Sequence, residues 1–179
     1  SSNMNANEVI ANRACEILKG KKGDKSLVHP NDHVNLGQSS NDVIPTAIHI
    51  SANIELTKRL IPELKLLEKS LIKKSQEFNK IIKIGRTHLQ DATPITLGQE
   101  FSGYLEQITN SKKRLMDSKK ELSFLAQGGT AVGTGINSPK NFDKIFCRLV
   151  SKMTKNNYKP ASNKFEAIAT HDSLVAFSG

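Results

Sequence analysis

Residues 85–99, GRTHLQDATPITLGQ, place Arg86, Thr87, His88, Gln90 and Asp91 within six positions. An imidazole titrates near neutrality and can pass a proton once a neighbour fixes its tautomer. Thr87 adds a hydroxyl donor beside it. The alternative is a satisfied loop histidine with an incidental arginine. A second polar stretch, VHPNDHVNLGQSSND at 28–42, packs two His, three Asn, two Asp and two adjacent Ser into fifteen residues. Ser39, Ser40 and Asn41 stand just before a helix start, where hydroxyl, amide and free backbone N–H donors can converge on one anion. Plain helix capping would use the same residue types.

A third stretch, GGTAVGTG at 128–135, holds four glycines in eight residues. It lacks the Lys-Ser/Thr ending of a phosphate-binding loop and the GxGxxG spacing of a dinucleotide site. Close backbone approach between packed elements explains it better.

Helices must position these stretches. Residues 7–19 carry few breakers and predict a helix that stops at Gly20. Residues 42–78 form a long helical tract in which Leu60, Leu64, Leu67 and Leu71 follow a heptad spacing, widened by Ile50, Ile54 and Ile61. Pro45 is expected in its first turn, and Pro62 should kink or divide it. Residues 97–127 repeat the pattern with Phe101, Leu105, Ile108, Leu115 and Leu122 on one stripe. Ser138 and Pro139 are expected to open another helix, lined by Phe142, Phe146, Leu149 and Met153, and a last helix should run over 164–178. Residues 29–41, 84–96 and 128–137 are expected as loops, and the alternation in 80–85 allows a short strand. The fold class is all-α, a long-helix bundle.

Composition narrows the chemistry. Twenty-six Lys and Arg against 17 Asp and Glu give +9. The lysines are spread along helices except for the cluster at 19–25, and aromatics are 5%, a poor supply for stacking on single strands. Solvated helix faces account for the charge, and no nucleic acid is expected. The two cysteines are too few and too far apart for a disulfide framework, a thiolate metal site or a held iron–sulfur cluster. No metal or cofactor is expected. With no apolar run near about 18 residues and no leader pattern, the expectation is a soluble chain that engages no membrane.

Together these segments resemble the fumarase/aspartase superfamily, and class II (iron-independent) fumarases most closely. The resemblance rests on SSNMNANEVIANRA at 1–14, HPNDHVNLGQSSND at 29–42, GRTHLQDATPITLGQEFSGY at 85–104, GGTAVGTGIN at 128–137 and NKFEAIAT at 163–170. Aspartases typically read GRTQLQDA and QSTND; this chain has His88 and the pair Ser39-Ser40, so hydration is favoured over deamination.

The resemblance implies reversible anti hydration of fumarate to (S)-malate by a homotetramer whose active sites draw on several subunits. It implies that Ser39, Ser40, Asn41 and Thr87 bind substrate carboxylate and that His88 is the catalytic group handling water. It also implies a second dicarboxylate site at His29, Asn31 and Asp32, although Ser26 stands where many members carry a basic residue. Residues 1–38 would be the end of an N-terminal domain with its connecting loop. Residues 39–179 would begin a central helical bundle, truncated at its C-terminus. The family's GSSxMPxKxNP loop is absent, so the chain alone is expected to be inactive. A cytoplasmic location is expected, or the mitochondrial matrix in a eukaryote. The alternatives are an aspartate ammonia-lyase, a member without catalysis, or a basic helical interaction protein.

Overall fold

The computed structural model describes residues 2–179. Helix α1 (Ser2–Ile17) starts at Ser2 rather than Asn7, because Asn3 and Asn7 are buried and their amides donate to Asn35 Oδ1. Tertiary hydrogen bonds thus hold a first turn whose composition favours coil. Lys19 takes a left-handed conformation and the Gly20 N–H returns to the Cys15 carbonyl, ending the helix as expected.

The long tract forms, but in pieces: α2 (Ser40–Glu55), a π turn at Leu56–Leu60 and α3 (Ile61–Glu77). Pro62 has no N–H and its ring crowds the preceding turn, so the chain widens by one residue just before it. The Ile61 N–H bonds the Leu56 carbonyl. The half-buried face of α3 runs through Ile61, Leu64, Glu68, Leu71 and Ser75. Leu64 and Leu71 are half-buried, whereas Leu60 and Leu67 are exposed, correcting the expected heptad. Pro45 lies inside α2, beyond its first turn, because the helix begins at Ser40 and not Asp42.

Residues 84–96 are not a loop. Strands β1 (Ile82–Thr87) and β2 (Gln90–Thr96) pair antiparallel, from Ile82 opposite Thr96 to Thr87 opposite Gln90. A bulge between Ile84 and Arg86 shifts the register by one residue at Gly85, where a Cβ would sit 2.7 Å from the Thr93 carbonyl. Helix α4 (Leu97–Leu122) follows directly. The Thr96 hydroxyl accepts from the Gln99 N–H, and the Gln99 side chain accepts from the Thr96 N–H, a reciprocal capping box. The predicted stripe on α4 is half-buried at Phe101, Leu105, Ile108 and Leu115 and fully buried at Leu122.

Beyond it, β3 (Phe124–Leu125) pairs parallel with β4 (Lys159–Pro160). Helix α5 (Phe142–Thr154) starts later than expected, since Ser138 and Pro139 pack against Gly37 instead of capping it. Its buried side is Phe142, Phe146, Cys147 and Val150; Leu149 and Met153 are exposed. The last stretch is two helices, α6 (Lys164–Ala169) and α7 (Asp172–Ser178), divided where Thr170 turns extended. No helix of the described residues is long and apolar enough to cross a membrane.

The chain falls into two units, Ser1–Asn53 with Lys120–Gly179, and Ile54–Lys119. The first has a core of Leu125, Cys147 and Tyr158, packed by Ile50, Phe146 and Val150. Burial pushes the Cys147 thiol up to about 11, and both cysteines are free. The second unit holds the end of α2, the π turn, α3, the hairpin and α4 as far as Lys119. Phe101 lies edge-on to Phe78, Lys83 pairs with Glu100, and Lys112 pairs with Glu68.

Candidate active site

The start of α2 is organised by one carboxylate. Ser39 caps the helix: its Oγ accepts from the Asn41 N–H at 3.2 Å, and its own N–H donates to Asp42 Oδ1 at 2.9 Å. Capping is therefore present at Ser39, while the hydroxyl proton remains available to a ligand. Ser40 Oγ accepts from Asn3 Nδ2 at 3.2 Å, and Asn41 Nδ2 donates to the Ala131 carbonyl at 2.8 Å. An amide carries two N–H donors, so Asn41 keeps a second.

Asp42 is fully buried, and its Oδ2 accepts from the N–H groups of Gly128 at 3.0 Å and Thr130 at 2.9 Å, with Gln127 Nε2 at 3.5 Å. The glycine stretch is thus tied to the serine pair. Thr130 is β-branched yet sits at φ +59, a strained conformation held by that hydrogen bond. Below the same loop, Lys164 Nζ donates to the Leu125 carbonyl at 3.0 Å and lies 3.8 Å from Asp143 Oδ2. Burial lowers its pKa, against the pull of Asp143.

His29 caps a π turn over Pro30–Val34. Its Nδ1 accepts from the Asn31 and Asp32 N–H groups, both at 3.2 Å, which leaves Nε2 as the protonated nitrogen of the neutral ring. His33 Nδ1 accepts from the His29 N–H at 2.9 Å. Asn31 and Asp32 are exposed, and Ser26 is engaged with Asp24. His29, Asn31, Asp32, Ser39, Ser40 and Asn41 all belong to the first unit.

Thr87 and His88 belong to the second. Thr87 closes the hairpin opposite Gln90, and His88 with Leu89 makes its two-residue turn at φ +51 and +62. Arg86 Nε donates to Asp91 Oδ1 across the strands at 3.2 Å. The His88 ring is exposed and has no hydrogen-bond partner among the described residues.

A cavity of about 350 Å³ lies elsewhere in the first unit, lined by His49, Glu121, Glu166, Asp172 and Ser173. The His49 ring bonds the Phe124 carbonyl and the Ser173 hydroxyl, both at 3.0 Å, and burial lowers its pKa. Its three carboxylates would repel a dianion, and none of the sequence-derived site residues lines it. Among the described residues no group of three or more His, Cys, Asp or Glu is placed to hold a metal ion.

Sequence reasoning missed Asp42, Gln127, Thr130 and Lys164. The S-x-x-D spacing of a capping box marks Asp42, but nothing local announces its reach to residue 130.

The profile of a family described as lyase matches residues 1–179. Mitochondrial fumarate hydratase of Saccharomyces cerevisiae is 59% identical over 178 residues, covering 99% of this chain and 36% of that protein. Class II fumarate hydratase of Brucella suis is 57% identical, covering 99% of this chain and 38% of that protein. The chain therefore spans less than two-fifths of the length of these relatives. Among solved structures, class II fumarase from Schistosoma mansoni superposes with a TM-score of 0.88 at 45% identity, covering 99% of this chain and 40% of that one. A fumarate lyase:delta crystallin from Brucella melitensis, bound to cobalt, gives 0.90 at 41% identity, over 99% and 38%. The helical fold expected from the sequence is the fold of these proteins. The chain belongs to the lyase family, and the relatives it is similar to there are class II fumarate hydratases.

Proposed function

We propose that a full-length protein carrying this chain is a fumarate hydratase, adding water anti across fumarate to give (S)-malate and reversing the reaction. The observation that carries the reading is the helix start at Ser39–Asp42, where hydroxyl and amide donors are fixed in place for a carboxylate. Ser39, Ser40 and Asn41 grip one carboxylate of the substrate, and Thr87 contributes a further hydroxyl. In the malate-to-fumarate direction a base takes the C3 proton, and the electron pair spreads into the adjacent carboxylate. The C2–O bond then breaks, and the oxygen leaves as water after protonation. Donors fixed around the charged carboxylate lower the barrier most, since they need no rearrangement as charge develops. His88 handles the water as general acid and base.

His88 has no orienting partner among the described residues, so its tautomer must be set by a group from elsewhere in the full protein or its assembly. A homotetramer with active sites shared between subunits supplies such groups, and residues 39–179 then form part of its central bundle. His29, Asn31 and Asp32 form a second dicarboxylate site, with the His29 Nε2–H as its donor. The location is cytoplasmic, or the mitochondrial matrix in a eukaryote.

Loss of fumarate absorbance tests the reading in both molecules. The full-length protein is expected to turn over fumarate, and the chain alone little or none. A full-length protein without hydratase activity would overturn the function. Substantial turnover by the chain alone would overturn the need for outside groups.

A further inference from the structure

We propose that Asp42 is a positioning residue that locks the Ser39–Asn41 helix start and the glycine stretch 127–135 into one rigid grip. A capping box needs only one carboxylate oxygen, and Oδ1 fills that role with the Ser39 N–H. Oδ2 is left over, and it collects three donors from residues 85, 86 and 88 positions further along the chain. Capping does not account for that half of the group. A buried carboxylate surrounded by N–H donors is held far more firmly than a neutral acceptor.

The consequence reaches Asn41 by a short route. Asp42 holds Thr130 in its left-handed conformation, Thr130 precedes Ala131, and the Ala131 carbonyl takes one N–H of the Asn41 amide. That bond fixes which way the second Asn41 N–H faces. Releasing Oδ2 frees Thr130 to leave a conformation a β-branched residue avoids, and the Ala131 carbonyl moves with it. The kinetic consequence rests on the fumarate hydratase reading; the clamp does not.

The test uses the full-length protein with Asp42→Asn, whose amide turns an N–H donor toward N–H donors. KM for fumarate is expected to rise at least tenfold and kcat to fall as well, because the same donors bind the substrate carboxylate and meet the charge that develops in the reaction. Hydrogen exchange in a peptide covering 127–135 should quicken at least tenfold. Asn53→Ala, which removes a buried donor to Ser123 Oγ in the same helix, is the control. It should lower Tm with KM and that exchange unchanged. Asp42→Glu keeps the charge one methylene out of place and should fall between wild type and Asp42→Asn in both readouts. It decides the matter if Asp42→Asn fails to fold. Unchanged exchange in the Asp42 variants, or a lowered Tm with unchanged KM, overturns the proposal. If the wild-type protein does not hydrate fumarate, the functional reading fails and the exchange measurement still judges the clamp.

Discussion

His88 leaves the backbone from a two-residue turn in which both central residues have positive φ, +51 at His88 and +62 at Leu89. Such turns match the twist of paired strands and usually carry Asn-Gly, because a left-handed residue with a Cβ costs about 1–2 kcal/mol. Here the cost is accepted at the residue proposed to move protons, and the exposed ring is presented at the tip with no hydrogen-bond partner among the described residues. The arrangement gives a clean substitution. Asn tolerates the left-handed region as well as any residue other than Gly, so His88→Asn should keep the hairpin while removing the titrating group. In the full-length protein kcat is expected to fall about 100-fold or more, the scale of general acid–base catalysis. KM should change only a few-fold, because carboxylate binding lies with other side chains. Steady-state kinetics with fumarate checks this, and an unchanged kcat would remove His88 from its role.

The hairpin is anchored where α4 begins. At Gly98 the Leu97 and Gly98 N–H groups bond the Ile81 and Phe78 carbonyls, and α3 passes so close that a Cβ would fall on the Ser75 carbonyl and lie 2.7 Å from Asn79 Cα. Those neighbours are backbone and cannot swing away. Gly98→Ala should therefore open the corner and cost about 1–3 kcal/mol, the range of an overpacked core. One turn further, a Cβ on Gly103 meets nothing within 4 Å, so Gly103→Ala should stabilise α4 by about 0.5–1 kcal/mol. Opposite shifts in denaturant midpoint are the expected result; equal shifts would refute the close approach. Elements of this kind divide the legible from the hidden. The stripe on α4 was readable because one face of one helix stays against its neighbours. The heptad through Leu60 and Leu67 failed because the half-buried face of α3 runs through Ile61, Leu64, Glu68, Leu71 and Ser75, with Glu68 in the place that periodicity counting gives to Leu67. Residues 84–96 read as a loop because the turn lacks Asn-Gly, Pro94 interrupts the alternation, and the bulge at Gly85 moves the register. At the site, Ser39 to Asn41 were visible as donors ahead of a helix. The reach of Asp42 to Gly128 and Thr130 was not, because those partners lie 86 and 88 residues further along the chain.

For the whole molecule, the two units differ in what they enclose. Ser1–Asn53 with Lys120–Gly179 surrounds a core. Within Ile54–Lys119, among the described residues, only Leu56 and Gly98 are buried, and α3 has no buried residue at all. Leu66 is 60% exposed, Leu67 45%, Ile72 42% and Met116 46%, although helices of this length normally bury an apolar stripe. A helix pair without an enclosed core gains little from folding alone, so these side chains need another surface. The net charge of +9 opposes contact between copies at low ionic strength, and salt screens that repulsion without weakening apolar contact. The isolated chain should therefore self-associate at micromolar concentration, and more strongly as salt rises. Sedimentation at two salt concentrations measures both effects. Replacing the exposed Leu66 and Leu67 by Glu and Lys leaves the net charge as it is, so a shift toward monomer in that variant isolates the apolar contribution. A wild-type chain that stays monomeric, or association that dissolves as salt is added, would mean that charge and not uncovered leucine governs the surface of this unit.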